Sequence, residues 1–177
     1  MEINGYKIEP KANLSKADLS WTDLSGVDLR DSDISDSCLK RTKLRGADIR
    51  RACFVESNLI GADFRGADVR GADFRGSSLG LSDLGGADFR RSNLFDADLS
   101  VSNLRGVNFR EANLRRVDFS GSDLRGADLT GADLEGAIFG GDNLKISDLR
   151  GADFSGADLT GAKIKIGNRV FELKEIM

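Results

Sequence analysis

The sequence predicts a single-domain solenoid, in which the chain turns at every fifth residue and four such repeats close one coil. Three observations predict it: an apolar residue recurs at every fifth position, a small residue precedes it by two positions, and charged residues recur at twenty-residue intervals. Self-similarity at a fixed period is the sequence signature of repeat architectures. The 177 residues suffice for one domain with a continuous core.

The five-residue period is carried by 31 central positions, from Leu14 to Ile164, and each of them holds Leu, Ile, Val or Phe. Ala, Ser, Thr or Val stands two residues before 30 of these positions, with Asp142 as the exception. Asp or Asn stands one residue before 25 of them. The pattern continues without insertion from Ala12 to Ile166, so we expect no projecting loop.

A period of five residues fits neither an α-helix nor a flat strand. On an α-helix five residues advance by about 500°, so each central residue would be rotated by about 140° from the last and no apolar face would form. In a strand an odd step sends successive central residues to opposite faces. The chain must therefore turn at every repeat, so that all central residues point to a common axis.

The number of repeats in one coil follows from the residue after each central position. When the repeats are sorted into four classes at twenty-residue intervals, Arg and Lys concentrate in two neighbouring classes. Phenylalanines recur at the same interval, and we expect these pairs to stack in register. The pairs are Phe54 and Phe74, Phe89 and Phe109, and Phe119 and Phe139. Both observations indicate four repeats per coil.

The repeated unit, written A(D/N)LXX, resembles the repeat of the pentapeptide repeat family, and the resemblance covers residues 12–166. It implies an all-β fold, a right-handed quadrilateral parallel β-helix of about eight coils. It also implies that the central residue and the small residue two before it point inward, while the other three positions point outward. Members of this family include proteins that bind DNA gyrase, and related proteins often dimerise through the C-terminal end.

The two ends of such a rod need caps, because a solenoid exposes unpaired strand edges there. Residues 1–11 predict an N-terminal cap with a hairpin about Asn4 and Gly5, a favoured two-residue turn. Residues 167–177 predict either a C-terminal cap or a contact between two copies of the chain, and both alternatives stay open. The candidate contact residues of that end are Val170, Phe171 and Leu173.

The residue types argue against an enzyme. The chain contains no histidine, which is the commonest general base and a frequent metal ligand. Its many Ser and Asp residues stand at repeat positions, so the repeat explains them better than catalysis does. Cys38 and Cys53 lie fifteen residues apart without a neighbouring His or further Cys, which argues against a metal site. We therefore expect no catalytic, cofactor or metal site.

The net charge and the hydropathy of the sequence limit the kinds of partner that the protein can bind. A net charge of -3 lacks the basic excess of a dedicated nucleic-acid binder. No apolar run approaches the roughly 20 residues that span a bilayer, and the N-terminus lacks the features of a signal peptide. We expect a cytoplasmic protein that binds neither membrane nor nucleic acid.

The first candidate surface is a basic strip formed by the two Arg-rich classes. Its residues are Arg30, Arg50, Arg70, Arg90, Arg110 and Arg150 in one class, and Arg45, Arg65, Arg105 and Arg125 in the other. Under one interpretation these side chains pair with the Asp columns beside them and keep the rod soluble and in register. Under the other they bind an anion: phosphate, nucleic acid or an acidic protein.

The second candidate surface is an apolar docking patch on the least charged class. It comprises Trp21, Ile60, Leu81 and Val101, which are predicted to lie outward among Gly and Ser. Single exposed apolar residues are ordinary, whereas four on one face indicate a docking patch.

These surfaces favour a non-enzymatic binding or scaffold rod whose outward faces engage another protein, which the sequence does not identify. The alternative is a DNA mimic that binds gyrase in the manner of quinolone-resistance proteins. Such a mimic needs acidic columns over most of its surface, and here the Arg columns neutralise much of the Asp. A third class, a nucleic-acid binder using the Arg strip, is opposed by a pI near 5.1.

Overall fold

The computed structural model describes residues 1–140, 147–166 and 169–172, and within them the chain winds as a right-handed quadrilateral β-helix. Single residues pair in parallel with residues twenty positions later, beginning with Asn13 and Asp33. Each coil has four faces, which we number 1 to 4 and which begin at the central residues Leu14, Leu19, Leu24 and Leu29. The residue two after each central residue forms the corner that ends its face, and the corners carry the same numbers.

Each repeat satisfies its backbone groups within and between coils. The Leu14 amide donates to the Asp33 carbonyl in the next coil at 2.7 Å, and the Ala17 amide donates back to the Leu14 carbonyl at 3.1 Å. The corner amide of Lys16 donates to the Ser35 carbonyl at 2.9 Å. These bonds recur in coil after coil. They hold adjacent coils together although each paired segment is only one residue long.

The corners impose a left-handed backbone conformation on whichever residue stands there. Gly46 has a φ of 61°, and the corner residue Val101 has a φ of 56°. Glycine adopts this conformation without strain, whereas a β-branched residue does so only at a cost in free energy. The turn at every fifth residue thus explains the glycine-rich corners and makes each bulky corner residue notable.

The core is a continuous apolar column along the rod axis. Every central residue from Leu14 to Phe139 is fully buried, together with the small residues two positions before most of them. Two of the three predicted phenylalanine pairs stack: the rings of Phe54 and Phe74 lie 4.7 Å apart at 3°, and those of Phe119 and Phe139 lie 5.1 Å apart at 17°. The third pair, Phe89 and Phe109, is tilted by 52°.

Serine fills the small inward position without leaving its hydroxyl unpaired. Ser37 Oγ donates to the Leu14 carbonyl at 2.7 Å and accepts a hydrogen bond from the Ala17 amide at 3.1 Å. Among the residues that the structure describes, no buried side-chain nitrogen or oxygen lacks a partner. The hydroxyls therefore connect adjacent coils instead of costing free energy in the core.

Two hairpins stand at the ends of the rod. Strands β1 (Glu2–Ile3) and β2 (Tyr6–Lys7) pair antiparallel, with Ile8 buried against the first coil. Strands β3 (Lys163–Ile166) and β4 (Arg169–Glu172) also pair antiparallel. β3 continues directly from the ladder, because the Phe139 amide donates to the Lys163 carbonyl at 2.7 Å.

The last coil is less enclosed than the first. Its central residues Leu149, Phe154 and Leu159 are only half-buried, whereas Leu14 and Leu19 at the start of the rod are fully buried. Since the repeat chemistry is the same at both ends, the difference lies in what covers the end coils. The central residues of the first coil are covered, whereas those described in the last coil retain accessible apolar surface.

The prediction of an uninterrupted repeat was wrong at one place. Asp118 pairs with Ile138 twenty positions on, but Asp123 pairs with Asp148, twenty-five positions on. The Ser147 amide donates to the Phe139 carbonyl at 3.0 Å, so Ser147 takes the inward place that falls to Asp142 in an unbroken register. A carboxylate buried there without a partner is costly, whereas serine fits. Residues 141–146 themselves lie outside the described residues.

No helix that could span a membrane occurs in the described part of the chain.

Candidate binding surfaces

Face 4 carries an ion-pair ladder along most of its length. Arg30 forms a bidentate pair with Asp28 of its own repeat, with Nε to Oδ1 at 2.8 Å and Nη2 to Oδ2 at 2.6 Å. Its Nε also lies 3.5 Å from an oxygen of Asp48 in the next coil. The same double arrangement recurs at Arg50 and Arg70, so charges alternate without a break along these coils.

These pairs keep the aspartates ionised. The hydrogen bond from Arg30 lowers the pKa of Asp28 to about 2, against the desolvation that burial imposes. The hydrogen bond from Arg70 likewise lowers the pKa of Asp68. In turn, Asp28 raises the pKa of the Arg30 guanidinium above its already high ordinary value. The pairs that Asp28 and Asp68 form with these arginines are thus charged at neutral pH, and their charges face one another.

Face 3 carries a second ladder, which the register change extends. Arg65 pairs with Asp63, and Arg125 Nε lies 3.5 Å from an oxygen of Asp148. Arg150, which pairs with Asp148 at 2.6 Å, therefore follows Arg125 on face 3. Arg150 was predicted to belong to the same class as Arg30. This prediction was wrong, because the pairing between Asp123 and Asp148 spans twenty-five residues instead of twenty.

The remaining arginines of the predicted basic strip differ in how closely an acidic residue approaches and neutralises their charge. Arg45 Nε lies 3.8 Å from Asp63, and Arg90 pairs with its own Asp at 2.6 Å. Arg110 follows an Asn instead of an Asp, and among the described residues its ion pair is with Asp128, at 3.5 Å. Arg105 also follows an Asn, and it forms no ion pair with any residue that the structure describes. Positive charge is therefore least compensated in this part of the two ladders.

A groove of about 530 Å³ opens along corner 4. It is lined by Arg50, Arg51, Arg70, Gly71, Arg90, Arg91, Arg110 and Glu111. The groove exists because Gly71 has no side chain while the corner residues on either side do. Arg51 extends away from Gly71 to Asp31, with Nε to Oδ1 at 2.6 Å, and Arg91 extends away from Gly71 to Glu111, with Nε to Oε2 at 2.7 Å. We call this feature the arginine groove.

The exposed apolar residues concentrate on corner 2. Trp21, Leu81 and Val101 are 69%, 65% and 44% exposed and occupy the same position in three coils. We call these three residues the apolar corner. Ile138, 37% exposed, lies further along on face 2. Among the large hydrophobic residues of the described chain, this side of the rod holds most of those that are exposed.

A shallow cleft of about 460 Å³ lies within this surface, lined by Arg41, Ile60, Gly61 and Leu81. The Arg41 guanidinium lies over the Trp21 ring, 4.8 Å from its centroid, so a cation covers one end of the surface. Ile60 lines the cleft and is half-buried, whereas the other three predicted members of the patch are exposed. The cleft is open because Gly61 separates Arg41 from Leu81.

The predicted C-terminal contact is described in part. Val170 is 53% exposed, and Phe171 is half-buried with the Arg169 guanidinium 5.3 Å from its ring centroid. Leu173 lies outside the described residues. Both described residues belong to β4, at the same end of the rod as the half-buried last coil.

The cysteines and the acidic residues offer no further site in the described chain. Cys38 Sγ accepts a hydrogen bond from Ser20 Oγ at 3.0 Å, and Cys53 is a half-buried free thiol. No group of three or more metal-ligating side chains is gathered among the residues that the structure describes. The distinctive surfaces are the two ladders, the arginine groove and the apolar corner.

Sequence reasoning missed the corner residues that shape both concave features: Arg41 beside the cleft, and Arg51 and Arg91 beside the groove. The basic classes were found from the residue directly after each central position. Sorting the residue two positions after it would have shown corner 4 as Asp31, Arg51, Gly71, Arg91, Glu111. A glycine between two arginines in such a column is the signal for the groove.

The comparisons with known proteins agree with this architecture. The family model for pentapeptide repeats matches in eight copies between residues 12 and 165. No sequence among the curated proteins is significantly similar to the chain. Among solved structures, the chain is similar to a trypsin-treated variant of QnrB1, a plasmid-mediated fluoroquinolone resistance protein, with a TM-score of 0.72 and 23% identity over 92% of this chain and 86% of that one.

Full-length QnrB1 is similar with a TM-score of 0.58 and 23% identity, over 86% of this chain and 83% of that one. At these identities the similarity is evidence for the fold alone. The family match covers most of the chain, including every described repeat of the β-helix up to Ala162. The chain belongs to the pentapeptide repeat family.

Proposed function

We propose that the chain is a non-enzymatic binding rod whose apolar corner docks a protein partner. Trp21, Leu81 and Val101 stand on one corner of a surface that is otherwise ordered by ion pairs and small residues. Aromatic and aliphatic side chains grouped on one side of a folded protein are typical of protein contacts. Arg41 beside Trp21 adds a cation, which favours a partner with an acidic group next to its apolar surface.

The observation that carries this proposal is that Leu81 and Val101 are exposed apolar residues held in a conformation that costs free energy. Both are exposed, and both hold the left-handed corner conformation, with φ values of 62° and 56°. A left-handed L-residue costs about 1–2 kcal/mol. Glycine at many other corners avoids that cost. Apolar side chains that cost stability through their conformation and remain exposed are explained by a contact with something outside the chain.

The architecture suits such a contact because the corner is rigid before binding. Corner amides are bonded to the adjacent coil, as in the 2.9 Å bond from the Leu81 amide to the Ser100 carbonyl. Little backbone entropy is then lost on association, which lowers the cost of binding.

The test compares two triple variants that change the same kind of position. In the first, the apolar corner is removed by Trp21→Gly, Leu81→Gly and Val101→Gly. In the second, the control, three charged residues of corner 1 are removed by Asp36→Gly, Glu56→Gly and Asp96→Gly, all of which have positive φ. Both variants should fold, because glycine is the unstrained residue at a corner.

A partner isolated with the wild-type chain and then purified should bind the control variant with unchanged affinity. Its affinity for the first variant should fall at least about a hundredfold, equivalent to about 2.7 kcal/mol. Trp21 is the one tryptophan of the sequence, so its fluorescence should shift to shorter wavelength when the wild-type complex forms. Equal binding by both variants, without a fluorescence shift, would contradict docking at this corner.

The alternative, a DNA mimic directed at gyrase, is tested by a supercoiling assay with and without a fluoroquinolone. The similarity in fold to QnrB1 motivates the assay. The ladders weigh against it, because aspartates such as Asp68 are paired with arginine instead of presenting a free, phosphate-like column. Inhibition or drug protection at micromolar concentrations, lost on charge reversal of acidic corner residues, would favour the mimic over the docking rod.

A further inference from the structure

We propose that the arginine groove binds a linear oligophosphate. This site is on corner 4, and it is separate in residues and in chemistry from the apolar corner. Six arginine residues line the groove, and Glu111 is the one acidic residue among its lining residues in the described chain. The aspartates that pair with Arg50, Arg70 and Arg90 do not line it. The wall of the groove is therefore cationic even though the ladder as a whole is compensated.

The ladder leaves donors available for a ligand. In Arg50, Arg70 and Arg90, Nε and Nη2 donate to the aspartate of the same repeat, at 2.6–2.9 Å. A guanidinium has five N–H donors, and Nη1 of these three residues donates to no group that the structure describes. In each arginine one edge of the guanidinium is thus fixed by a carboxylate, and Nη1 on the other edge is available to bind a ligand. Phosphate is the anion that this planar donor geometry matches best.

The fixed edge also prepares the site for binding. A free arginine side chain loses up to about 2 kcal/mol of rotamer entropy when it is immobilised. Here the bidentate contacts with Asp48, Asp68 and Asp88 already restrict the guanidinium planes before any ligand arrives. Consequently less entropy remains to be lost, and the aspartates act as positioning residues for the cationic wall.

The spacing of the donors selects a linear ligand. Arg50, Arg70, Arg90 and Arg110 stand in four successive coils, about 4.8 Å apart, which is the spacing of adjacent strands. They form a row of about 14 Å. Arg110 has no aspartate in its own repeat and lies 3.5 Å from Asp128, while Glu111 beside it is paired with Arg91. A row of charges of this length fits several connected phosphate groups better than one phosphate ion.

The gap at Gly71 gives the ligand access. A Cβ built on Gly71 would meet only Arg51 Cγ, at 3.6 Å, so space does not require glycine at this position. Nor does the fold require it, since Arg51 and Arg91 hold the same corner conformation, with φ values of 57° and 59°. A side chain at Gly71 would lie in the groove and exclude a ligand.

The probe is inorganic tripolyphosphate, titrated by calorimetry into the purified full-length chain at low and at physiological ionic strength. We expect one site with a Kd below about 1 mM, and weaker binding at the higher ionic strength. Gly71→Gln, which fills the groove without changing charge, and Arg70→Gln should each weaken binding at least about tenfold.

Each variant has a matched control on the same column. Gly131 is a corner-4 glycine outside the groove, with a φ of 65°. Arg30 has the same bidentate pair and the same contact to the next coil, but it does not line the groove. Gly131→Gln and Arg30→Gln should bind tripolyphosphate as the wild type does. Equal losses in the controls and in the groove variants would overturn the proposal, because they would indicate diffuse attraction to the whole rod.

Two further ligands distinguish the source of the phosphates. A short single-stranded oligonucleotide that binds as tightly as tripolyphosphate, and is equally weakened by Gly71→Gln, would assign the groove to nucleic-acid phosphates. Tripolyphosphate binding alone would assign it to a free oligophosphate. Oligoglutamate that binds as tightly as tripolyphosphate would overturn the choice of phosphate, and so would the absence of any binding at low ionic strength.

Discussion

At the scale of single residues, the corner position decides what each repeat adds to the rod. The inward positions are nearly uniform, because the axis accepts one large and one small side chain per repeat. Corners accept any residue that tolerates a positive φ, from Gly46 to Val101. Variation among the corner residues therefore falls at positions where every residue other than glycine has a conformational cost.

The free-energy cost of a positive φ leads to a prediction about the apolar corner. Val101→Gly should raise the free energy of unfolding by about 0.5–1 kcal/mol, because relief of the left-handed strain exceeds the entropy that glycine loses on folding. The reverse change, Gly46→Val, should lower it by about 1 kcal/mol or more, although open space surrounds Gly46. Urea denaturation measures both. A destabilised Val101→Gly variant would mean that the exposed side chain contributes to the fold.

The paired aspartates predict how stability depends on pH. The folded-state pKa values of Asp28 and Asp148 are lowered to about 2 by their arginines. In the unfolded chain the value is about 3.9. The pairs therefore stabilise the fold above about pH 4, and their contribution is lost as the pH falls towards 2.

Urea midpoints measured between pH 2 and pH 7 should show this decline. The double variant Asp28→Asn and Asp148→Asn should be less stable than the wild type at pH 7, and its decline towards low pH should be shallower. A decline as steep as that of the wild type would assign the acid sensitivity to other carboxylates.

At the scale of the repeat, the sequence predicted the coil correctly and the register incorrectly. Twenty-residue columns of Arg and Phe were sufficient for four repeats per coil, because side chains in register contact each other in adjacent coils. The shift after Phe139 escaped the pattern because Leu144 keeps the five-residue period. The available signal was Asp142, a carboxylate at a position that would face the core in an unbroken register.

The register shift predicts unequal effects of two deletions. Among the described residues the ladder continues from Phe139 at Ser147, and its spacing there is longer than elsewhere by five residues, the length of residues 142–146. Deleting them should change the free energy of unfolding by less than about 1 kcal/mol, because loop-closure entropy depends only weakly on length. Deleting residues 102–106 should cost at least about 2 kcal/mol, because every later repeat moves to another face and its columns no longer match.

Chemical denaturation of the two deletion variants, with circular dichroism to verify the β-helix, measures this difference. Similar losses in both would show that residues 142–146 contribute to the rod as much as a repeat within the ladder does.

At the scale of the whole molecule, each coil contacts only its neighbours, so the ends are the places where stability and association are decided. The sequence predicted that both ends need covering, from the exposed edges of any solenoid. It could not predict how completely each hairpin covers its coil, because that depends on how the hairpin docks. The arginine groove escaped prediction for a related reason, since it depends on Arg51 and Arg91 turning away from Gly71.

The difference between the ends predicts that two copies associate through the C-terminal end. Leu149, Phe154 and Leu159 are half-buried there, and Val170 is exposed on the adjacent strand β4, so apolar surface remains that a second copy can cover. Light scattering after gel filtration should give the mass of a dimer. Val170→Asp should give a monomer, because it places a charge in the contact, whereas Val101→Asp on the apolar corner should leave the dimer intact. A monomeric wild type would instead make β3 and β4 a plain cap, and the half-burial of the last coil would then be a stability cost that the rod carries alone.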